Sequence, residues 1–268
     1  MKTVRILVDS LADKGLQNAQ MANAREIIRR LDPALFHVST FYLGEPDPDI
    51  ADRPNTRLIK LPSKRQTVNI FRQFVLGKHE ILFYVKSSPA SKWYLRLRQK
   101  LKDHRITVGT VESRSDLRNQ PTITPEAIRL WERTVLRCDY LFSNSHAVQQ
   151  SLQSEYGLES QIVPTGVDTK FFQPLRDRAP NTRPRVLFVG ALRPFKQPQL
   201  LLDAAVCSPH ADFVIVGDGP MASQLNDRMR DQNIRNVRFA GLLAAAQLRH
   251  EYQQADISLF TSVWEGSH

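Results

Sequence analysis

Basic, glycine and acidic residues follow three apolar segments in the last third of the sequence, at the points where those segments end. Arg193 and Lys196 follow RVLFVG, the sequence GDGP at 217–220 follows FVIV, and EGS at 265–267 follows ISLFTS. The carboxyl ends of parallel strands share one edge of a sheet, so these loops are expected to converge. Cations beside the amino end of a helix, with its free backbone N–H groups, suit a diphosphate. The spacing therefore predicts an anion-binding edge.

Taken separately, these loops are weak signals. An isolated Arg193 and Lys196 would be two solvated loop charges. Gly217 permits a tight turn, and Pro220 suits the first turn of a helix, so GDGP is most simply a structural turn. It fails as a dinucleotide fingerprint because Ala222 stands where the third glycine is needed. The convergence of the loops is what favours a functional site.

Strand-like apolar runs alternate with amphipathic helical stretches along the chain, which is typical of parallel βαβ units and an α/β fold. The segment 176–184, RDRAPNTRP, has two prolines and no large apolar residue, and is predicted to be a linker. We therefore expect domains at 1–175 and 185–268. The predicted strands are VRILVD, FHVSTFYL, EILFYV, RITVGTV, DYLFSNS and QIVP in the first domain, and RVLFVG, FVIVG, VRFAG and ISLFTS in the second.

The second domain ends on its fourth predicted strand, Ile257 to Ser262, without a following helix. Such a strand would leave one face of a doubly wound sheet uncovered. The pattern predicts an incomplete domain that lacks about 90 residues, if the two domains are of similar size.

Composition narrows the possible settings and partners. The net charge is +10, and residues 1–180 hold 28 Lys and Arg against 19 Asp and Glu. A nucleic acid, an anionic membrane or a phosphorylated substrate could match this charge. Cys138 and Cys207 lack partners at disulfide or zinc spacing, which favours a reducing cytoplasm. No window approaches the roughly 18 apolar residues of a membrane span.

The ordered strings IVPTGVDTKFFQP, RVLFVGALRPFKQPQLLLDAA, FVIVGDGP, NVRFAGL and YQQADISLFTSVWEGS resemble the motifs of the family-4 glycosyltransferases. The resemblance runs from about Tyr140 to the end. It implies a retaining enzyme of the GT-B type, with two Rossmann-like domains facing one another across a cleft. The C-terminal domain would bind a nucleotide-sugar donor, and the N-terminal domain a glycan or lipid-linked acceptor. No metal or other cofactor is implied.

The resemblance also assigns roles to particular residues. It places Lys196 on the donor diphosphate, with Gly190, Gly217 and Gly219 in the donor loops. Glu265 matches the first glutamate of a Glu-x7-Glu motif and would contact sugar hydroxyls. The same resemblance implies backbone N–H donors at Gly266 and Ser267, and a loop closing over the donor-acceptor junction at Gly15.

This sequence departs from the family pattern at three places. Ala191 stands where an arginine is usual, and we expect Arg193 to supply that charge. Glu112 stands where many members have histidine, so either its carboxylate points elsewhere or the local chemistry differs. The second glutamate of the motif would fall at position 273, beyond the chain, so the 268 residues are expected to be a fragment that is inactive or poorly stable alone.

The helical segment SKWYLRLRQKLKDHR, residues 91–105, is predicted to be a crossover helix with a solvated basic face. Its predicted apolar face holds Trp93, Tyr94, Leu97, Leu101 and His104. The basic face also suits anionic lipid headgroups, which implies a cytoplasmic protein with peripheral contact at the inner membrane face.

Other functions fit the sequence less well. Asp47-Pro48-Asp49 matches the Asp-x-Asp of metal-dependent transferases, but it lies in an acidic loop between prolines, where solubility explains it better. A nucleic-acid-binding protein, or another nucleotide-binding Rossmann protein without transferase activity, is the alternative. No nucleic-acid recognition motif is present, so no such partner is expected.

Overall fold

The computed structural model describes residues 3–14, 19–112 and 123–263. It divides into two compact units, with the boundary between Thr165 and Gly166. The proline-rich segment for which a linker is predicted belongs to the second unit, because its polar side chains are anchored there. Arg178 Nη1 and Asn181 Nδ2 each donate to the carbonyl oxygen of Gln254 at 2.9 Å. Asp256 accepts further hydrogen bonds from the same two side chains.

The first unit contains a parallel sheet of seven strands in the order β3-β2-β1-β4-β5-β6-β7 among the described residues. Its strands are β1 Val4–Leu11, β2 Phe36–Tyr42, β3 Thr56–Lys60, β4 Ile81–Phe83, β5 Ile106–Val111, β6 Tyr140–Ser143 and β7 Gln161–Ile162. Its helices are α1 Ala19–Arg30, α2 Pro48–Ala51, α3 Gln66–Leu76, α4 Pro89–Lys100, α5 Pro125–Glu132 and α6 His146–Tyr156. Because β1 has β2 on one side and β4 on the other, the strand order reverses between β1 and β4.

The second unit repeats this arrangement on a smaller scale. Its parallel sheet has the order β10-β9-β8-β11, and the order reverses between β8 and β11. The strands are β8 Arg185–Val189, β9 Asp212–Val216, β10 Val237–Gly241 and β11 Ile257–Ser258; the helices are α7 Gln199–Cys207, α8 Ala222–Asp231 and α9 Ala245–Gln254. The predicted α/β architecture with parallel sheets is confirmed.

Alternating residues of the strands build a core on each face of the second sheet. Phe188 and Ile215 pack on one face with residues of α7 and α8. Leu187 and Val214 pack on the other face, near Leu248 of α9. Side chains of a strand point to opposite faces in turn, so a continuous apolar run such as RVLFV is what a sheet covered on both sides requires. Burying each large side chain contributes roughly 1.5–3 kcal/mol.

Helix boundaries follow local signals in the sequence. In α4 the Ser88 hydroxyl accepts a hydrogen bond from the Ser91 backbone N–H at 3.2 Å, and Pro89 takes the first helical position. In α6 the Ser145 hydroxyl caps the amino end in the same way, and Gly157 closes the carboxyl end with a φ of 63°. These ends fix where the neighbouring loops start.

No helix of the described ranges is long and apolar enough to cross a membrane.

The structure differs from the predicted elements in three places. A strand and a helix, β3 and α3, occupy a stretch for which the sequence pattern predicted nothing. The strand predicted over 257–262 is only Ile257–Ser258, and Phe260 is 69% exposed. It lies at the sheet edge, where β8 is its partner among the described residues. In α4 the buried positions include Tyr94 and Leu95, whereas Trp93 and Leu101 are exposed, so the predicted apolar face is only partly right.

Candidate functional site

The loops after β8 and β11 lie side by side at the point where the strand order of the second sheet reverses. In open α/β sheets, ligands bind outside the carboxyl ends of the strands at such a reversal. The loop after β8, here called the first loop, carries Gly190, Arg193 and Lys196. The second loop, 217–221, follows β9, and the third loop, 259–263, follows β11. The fold thus brings three sequence-predicted loops to one edge.

Backbone hydrogen bonds join the first and second loops. The Gly190 N–H donates to Val216 O at 3.0 Å, and the Leu192 N–H donates to Asp218 O at 2.9 Å. In return, the Met221 N–H donates to Leu192 O at 3.0 Å. These bonds hold the backbone that carries Arg193 and Lys196 against the start of α8.

The third loop is joined to the first on its other side. The Val263 N–H donates to Phe195 O at 2.9 Å. The Thr261 hydroxyl donates to Lys196 O at 2.6 Å. The predicted convergence of the loops is therefore confirmed as far as Val263, and the backbone of Lys196 is fixed from two directions.

Two glycines of the second loop make this contact possible. Gly217 has a φ of 138°, and a Cβ there would lie 1.9 Å from Gly190 O. Gly219 has a φ of 159°, and its Cβ would lie 2.6 Å from Leu192 O. Any larger residue would push the two loops apart, so both glycines shape the site through the backbone. At the first loop, Lys196 Cδ lies 4.0 Å from where a Cβ of Gly190 would be, which leaves room for the lysine stem.

The two cations of the first loop lie on a single 3-10 turn. Pro194–Lys196 form this turn, and Arg193 precedes it as an exposed residue. Lys196 is half-buried, and its Nζ lies 5.4 Å from the centroid of the Phe195 ring. Gln197, with a φ of 44°, separates the turn from α7, which begins at Gln199. Both cations therefore precede α7, and neither lies in its first turn.

Four of the predicted site residues are not among the residues that the structure describes. Glu265, Gly266 and Ser267 follow the third loop, and Gly15 follows β1. All four lie outside the described residues.

The strand reversal of the first unit holds a second polar cluster. Asp9, at the carboxyl end of β1, is 5% exposed and accepts a hydrogen bond from the Lys86 backbone N–H at 3.0 Å. Burial raises the pKa of Asp9 despite the nearby lysine, and burial lowers the pKa of Lys86. The Ser10 hydroxyl beside them is buried and has no hydrogen-bond partner in the described structure. Sequence reasoning missed this cluster, although a carboxylate ending an apolar strand was a visible signal.

The structure shows where Glu112 points. Its carboxylate accepts hydrogen bonds from the Tyr84 hydroxyl and from Asn23 Nδ2, the latter at 3.3 Å. Asn144 Nδ2 donates to its backbone oxygen at 3.0 Å. Tyr84 is buried with a φ of 64°, and its pKa is raised by burial and by the Glu112 charge. Glu112 is thus held by side chains of its own unit.

The Asp-x-Asp sequence has a structural role that differs from the predicted solvated loop. Asp47 is buried, caps α2 by accepting from the Asp49 N–H at 3.0 Å, and pairs with Arg25 at 3.2 Å. Arg29 pairs with both aspartates, at 3.2 and 2.7 Å. Two arginines therefore pair with both oxygens of Asp47 and with one oxygen of Asp49. Across the described residues, no group of three His, Cys, Asp or Glu side chains is arranged to hold a metal.

Comparison with known sequences identifies one family model that matches most of the second unit, and relatives that match about half of the chain. Residues 171–267 match the family model described as Glycosyl transferases group 1. O-antigen chain mannosyltransferase C of Escherichia coli is 30% identical over 136 residues, covering 48% of this chain and 36% of that protein. D-inositol 3-phosphate glycosyltransferase of Kineococcus radiotolerans is 30% identical over 151 residues, covering 47% and 35%. The matched part thus spans about a third of each relative.

Solved structures show similarity over nearly the whole chain. Sucrose-phosphate synthase of Thermosynechococcus elongatus has a TM-score of 0.78 at 18% identity, covering 99% of this chain and 77% of that one. Anabaena HepE in complex with UDP and glucose has a TM-score of 0.69 at 14% identity, covering 97% and 74%. The fold is therefore that of GT-B glycosyltransferase structures, and residues 171–267 carry the sequence pattern of Glycosyl transferases group 1.

Proposed function

We propose that this protein is a retaining glycosyltransferase that moves a hexose from a nucleotide-sugar donor to a glycan or lipid-linked acceptor. The observation that carries the proposal is the junction of the three loops at the strand reversal of the second unit. This junction presents Arg193 and Lys196, and it lies within the segment that matches Glycosyl transferases group 1.

Charge development during transfer explains why these cations would matter. When the bond between the sugar C1 and the diphosphate oxygen breaks, negative charge grows on the departing phosphate. A cation fixed nearby stabilises that state more than the bound donor, and so accelerates the reaction. Lys196 suits this role because hydrogen bonds to its own carbonyl and to that of Phe195 hold its backbone in place. Arg193 would add a second positive charge and so replace the arginine that is usual in the family at the position of Ala191.

The remaining steps follow from retention of configuration. The acceptor oxygen forms the new bond to C1 on the face that the diphosphate leaves, and its proton passes to the departing phosphate. No protein base and no metal cofactor is needed in this scheme. We propose that Gly190, Gly217 and Gly219 shape the donor loop, and that Glu265, Gly266, Ser267 and Gly15 complete the contacts.

The names of the relatives support the acceptor class. One is an O-antigen chain mannosyltransferase and the other a D-inositol 3-phosphate glycosyltransferase, both of which imply transfer to a carbohydrate or polyol. We place the acceptor on the first unit, and the whole protein in the cytoplasm, in peripheral contact with the inner membrane face. The excess of Lys and Arg in residues 1–180 supports that contact, since anionic lipids attract basic surfaces.

Replacement of one lysine tests the proposal. In the full-length protein, Lys196→Ala should lower transferase turnover by about 10²–10³-fold, as removal of a group that stabilises developing charge does elsewhere. Turnover is measured with a panel of nucleotide sugars, and donor binding is measured in parallel by calorimetry. Lys170→Ala removes an exposed lysine of the same unit and should leave both quantities unchanged.

Three results would count against the proposal. Equal turnover in Lys196→Ala and the parent would show that the phosphate contact is misassigned. An inverted anomeric configuration of the product, read by NMR, would rule out retention. Binding of NAD or duplex DNA without any nucleotide-sugar binding would favour the non-transferase alternative.

A further inference from the structure

A basic groove in the first unit lies away from its carboxyl-edge cluster. The groove encloses about 880 Å³ between α4 and the segment that joins α5 to β6. It starts beside Lys92 in the first turn of α4 and reaches Lys102, four residues before β5, and Asp139, immediately before β6. It therefore extends to the amino edge of the sheet. Neither Asp9 nor Glu112, at the opposite edge, lines it.

One face of α4 forms one wall of the groove. Lys92, Arg96 and Gln99 recur at intervals of four and three residues, which places them along a single side of the helix, and Lys102 follows just past the helix end. At about 1.5 Å of rise per residue, the stretch from Lys92 to Gln99 is roughly 10 Å long. The wall opposite this face is basic as well.

The lining holds six Lys and Arg side chains against two carboxylates, and both carboxylates are already engaged. Asp139 accepts hydrogen bonds from Arg98 at 2.9 Å and from the Thr107 N–H at 2.8 Å. Asp103 accepts from Arg105 Nε at 2.8 Å and from the Tyr94 hydroxyl at 3.0 Å. Asp139 thus balances Arg98 alone, and the lining keeps a net positive charge.

Five cations of the lining have no carboxylate partner in the described part of the chain: Lys92, Arg96, Lys102, Arg133 and Arg137. The dipole of α4 accounts for a cation at Lys102, past the helix end, but it disfavours Lys92 in the first turn. Like charges collected in a concave surface repel one another and focus a positive potential on the space between them. An anion in the groove would relieve that repulsion.

We infer that this groove binds a ligand with more than one phosphate group, at a site separate from the donor edge. Arginine pairs with phosphate through two parallel hydrogen bonds, and Arg133 and Arg137 line the same groove as Lys92 and Arg96 of α4. The volume matches that of small-molecule pockets, which enclose about 300–1,000 Å³. The phosphates come either from a soluble molecule or from a lipid headgroup, and this inference does not depend on transferase activity.

Calorimetry with inorganic tripolyphosphate on the full chain tests the soluble source. Arg133→Gln combined with Arg137→Gln should weaken binding by about tenfold or more per arginine, the loss expected for a charged hydrogen bond. The matched control, Arg57→Gln with Arg72→Gln, removes two exposed arginines elsewhere on the unit and should bind as the parent does. The same titration on Lys196→Ala separates the groove from the donor edge, because groove binding should persist in that variant.

Flotation with vesicles of cardiolipin, whose headgroup carries two phosphates, and phosphatidylcholine in equal amounts tests the lipid source. If the variant with Arg133→Gln and Arg137→Gln, the groove pair, loses vesicle binding while tripolyphosphate binds neither the parent nor any variant, a lipid headgroup is the ligand. If tripolyphosphate binds the parent and the groove pair binds it more weakly, a soluble phosphate ligand is supported. The inference is overturned if both probes bind the groove pair as well as they bind the control variant with Arg57→Gln and Arg72→Gln. It is also overturned if all tripolyphosphate binding disappears in Lys196→Ala. Thermal unfolding of each variant confirms that it is folded.

Discussion

Gly217 shows how one residue can shape a site without touching a ligand. Its backbone adopts a φ of 138° and approaches Gly190 O so closely that no side chain fits between them. This contact sets the path of the loop that carries Lys196. The glycines that looked like an incomplete nucleotide-binding motif are thus explained by close backbone packing.

Gly217→Ala should destabilise the protein by on the order of 3 kcal/mol, because backbone strain and overpacking each cost about 1–3 kcal/mol. Urea unfolding monitored by circular dichroism measures the loss. Gly166→Ala is the matched control, since a Cβ there would meet no atom within 4 Å. A variant at Gly217 as stable as the parent would show that the loops can separate without cost.

Between elements, Arg105 joins the end of α3 to the start of β5. Its guanidinium donates to the carbonyl oxygens of Val75 and Gly77 at 3.2 and 3.0 Å, and it lies 3.3 Å from His79 Nε2. Burial alone would raise the pKa of Asp103, but the hydrogen bonds from Arg105 hold it well below its usual range. The network fixes the edge of the sheet nearest α4.

His79 makes this network sensitive to acid. Burial, and then the charge of Arg105, lower the pKa of His79 from 6.5 to about 4. The unfolded chain therefore takes up the proton first, and stability is fully present above pH 6.5 and lost as the pH falls towards 4. Between pH 7 and pH 5 the loss should be about 2 kcal/mol.

Urea unfolding at pH 7 and pH 5 measures this loss. His79→Gln keeps an acceptor for Arg105 but cannot take up the proton, so it should depend less on pH than the parent. His146→Gln, an exposed histidine of the same unit, should behave as the parent does. Equal pH dependence in the parent and His79→Gln would contradict the assignment.

Across the whole molecule, the two units have separate cores and unequal charge. Residues 1–165 hold 25 Lys and Arg against 17 Asp and Glu, and residues 166–265 hold 12 against 10, whereas the loops joined at one edge belong to the second unit. Each unit therefore presents a different surface chemistry.

Hydrogen exchange should report this division. A bound nucleotide sugar is expected to slow amide exchange most in residues 190–196, 217–221 and 259–263, since ligand contact suppresses local opening. Mass spectrometry of peptides from both units, with and without donor, gives the comparison. Protection confined to the basic groove would place the nucleotide there instead.

Much of this arrangement could be predicted from apolar runs. RVLFV and FVIV are continuous because both faces of their sheet are covered, and their parallel order is what brings the loops together. The short strand TRLIK carries charged residues at its second and last positions, which obscure the strand pattern. α3 begins after Arg65, which has a left-handed φ of 59° and no side-chain cap, so it lacks a start signal. Three apolar residues of α3 nevertheless recur at helical spacing: Val68, Phe71 and Val75. The contact of Asp9 with Lys86 joins residues 77 apart and depends on a strand order that the sequence does not show.

The hydrogen bonds around Lys196 also set an order of events during synthesis. Its loop takes partners from Val216, Asp218 and Met221, and again from Thr261 and Val263. On the ribosome, β8 and Lys196 emerge well before any of these segments, at about 5–20 residues per second. The loop that carries the two cations can therefore reach its final geometry only after most of the second unit has been translated.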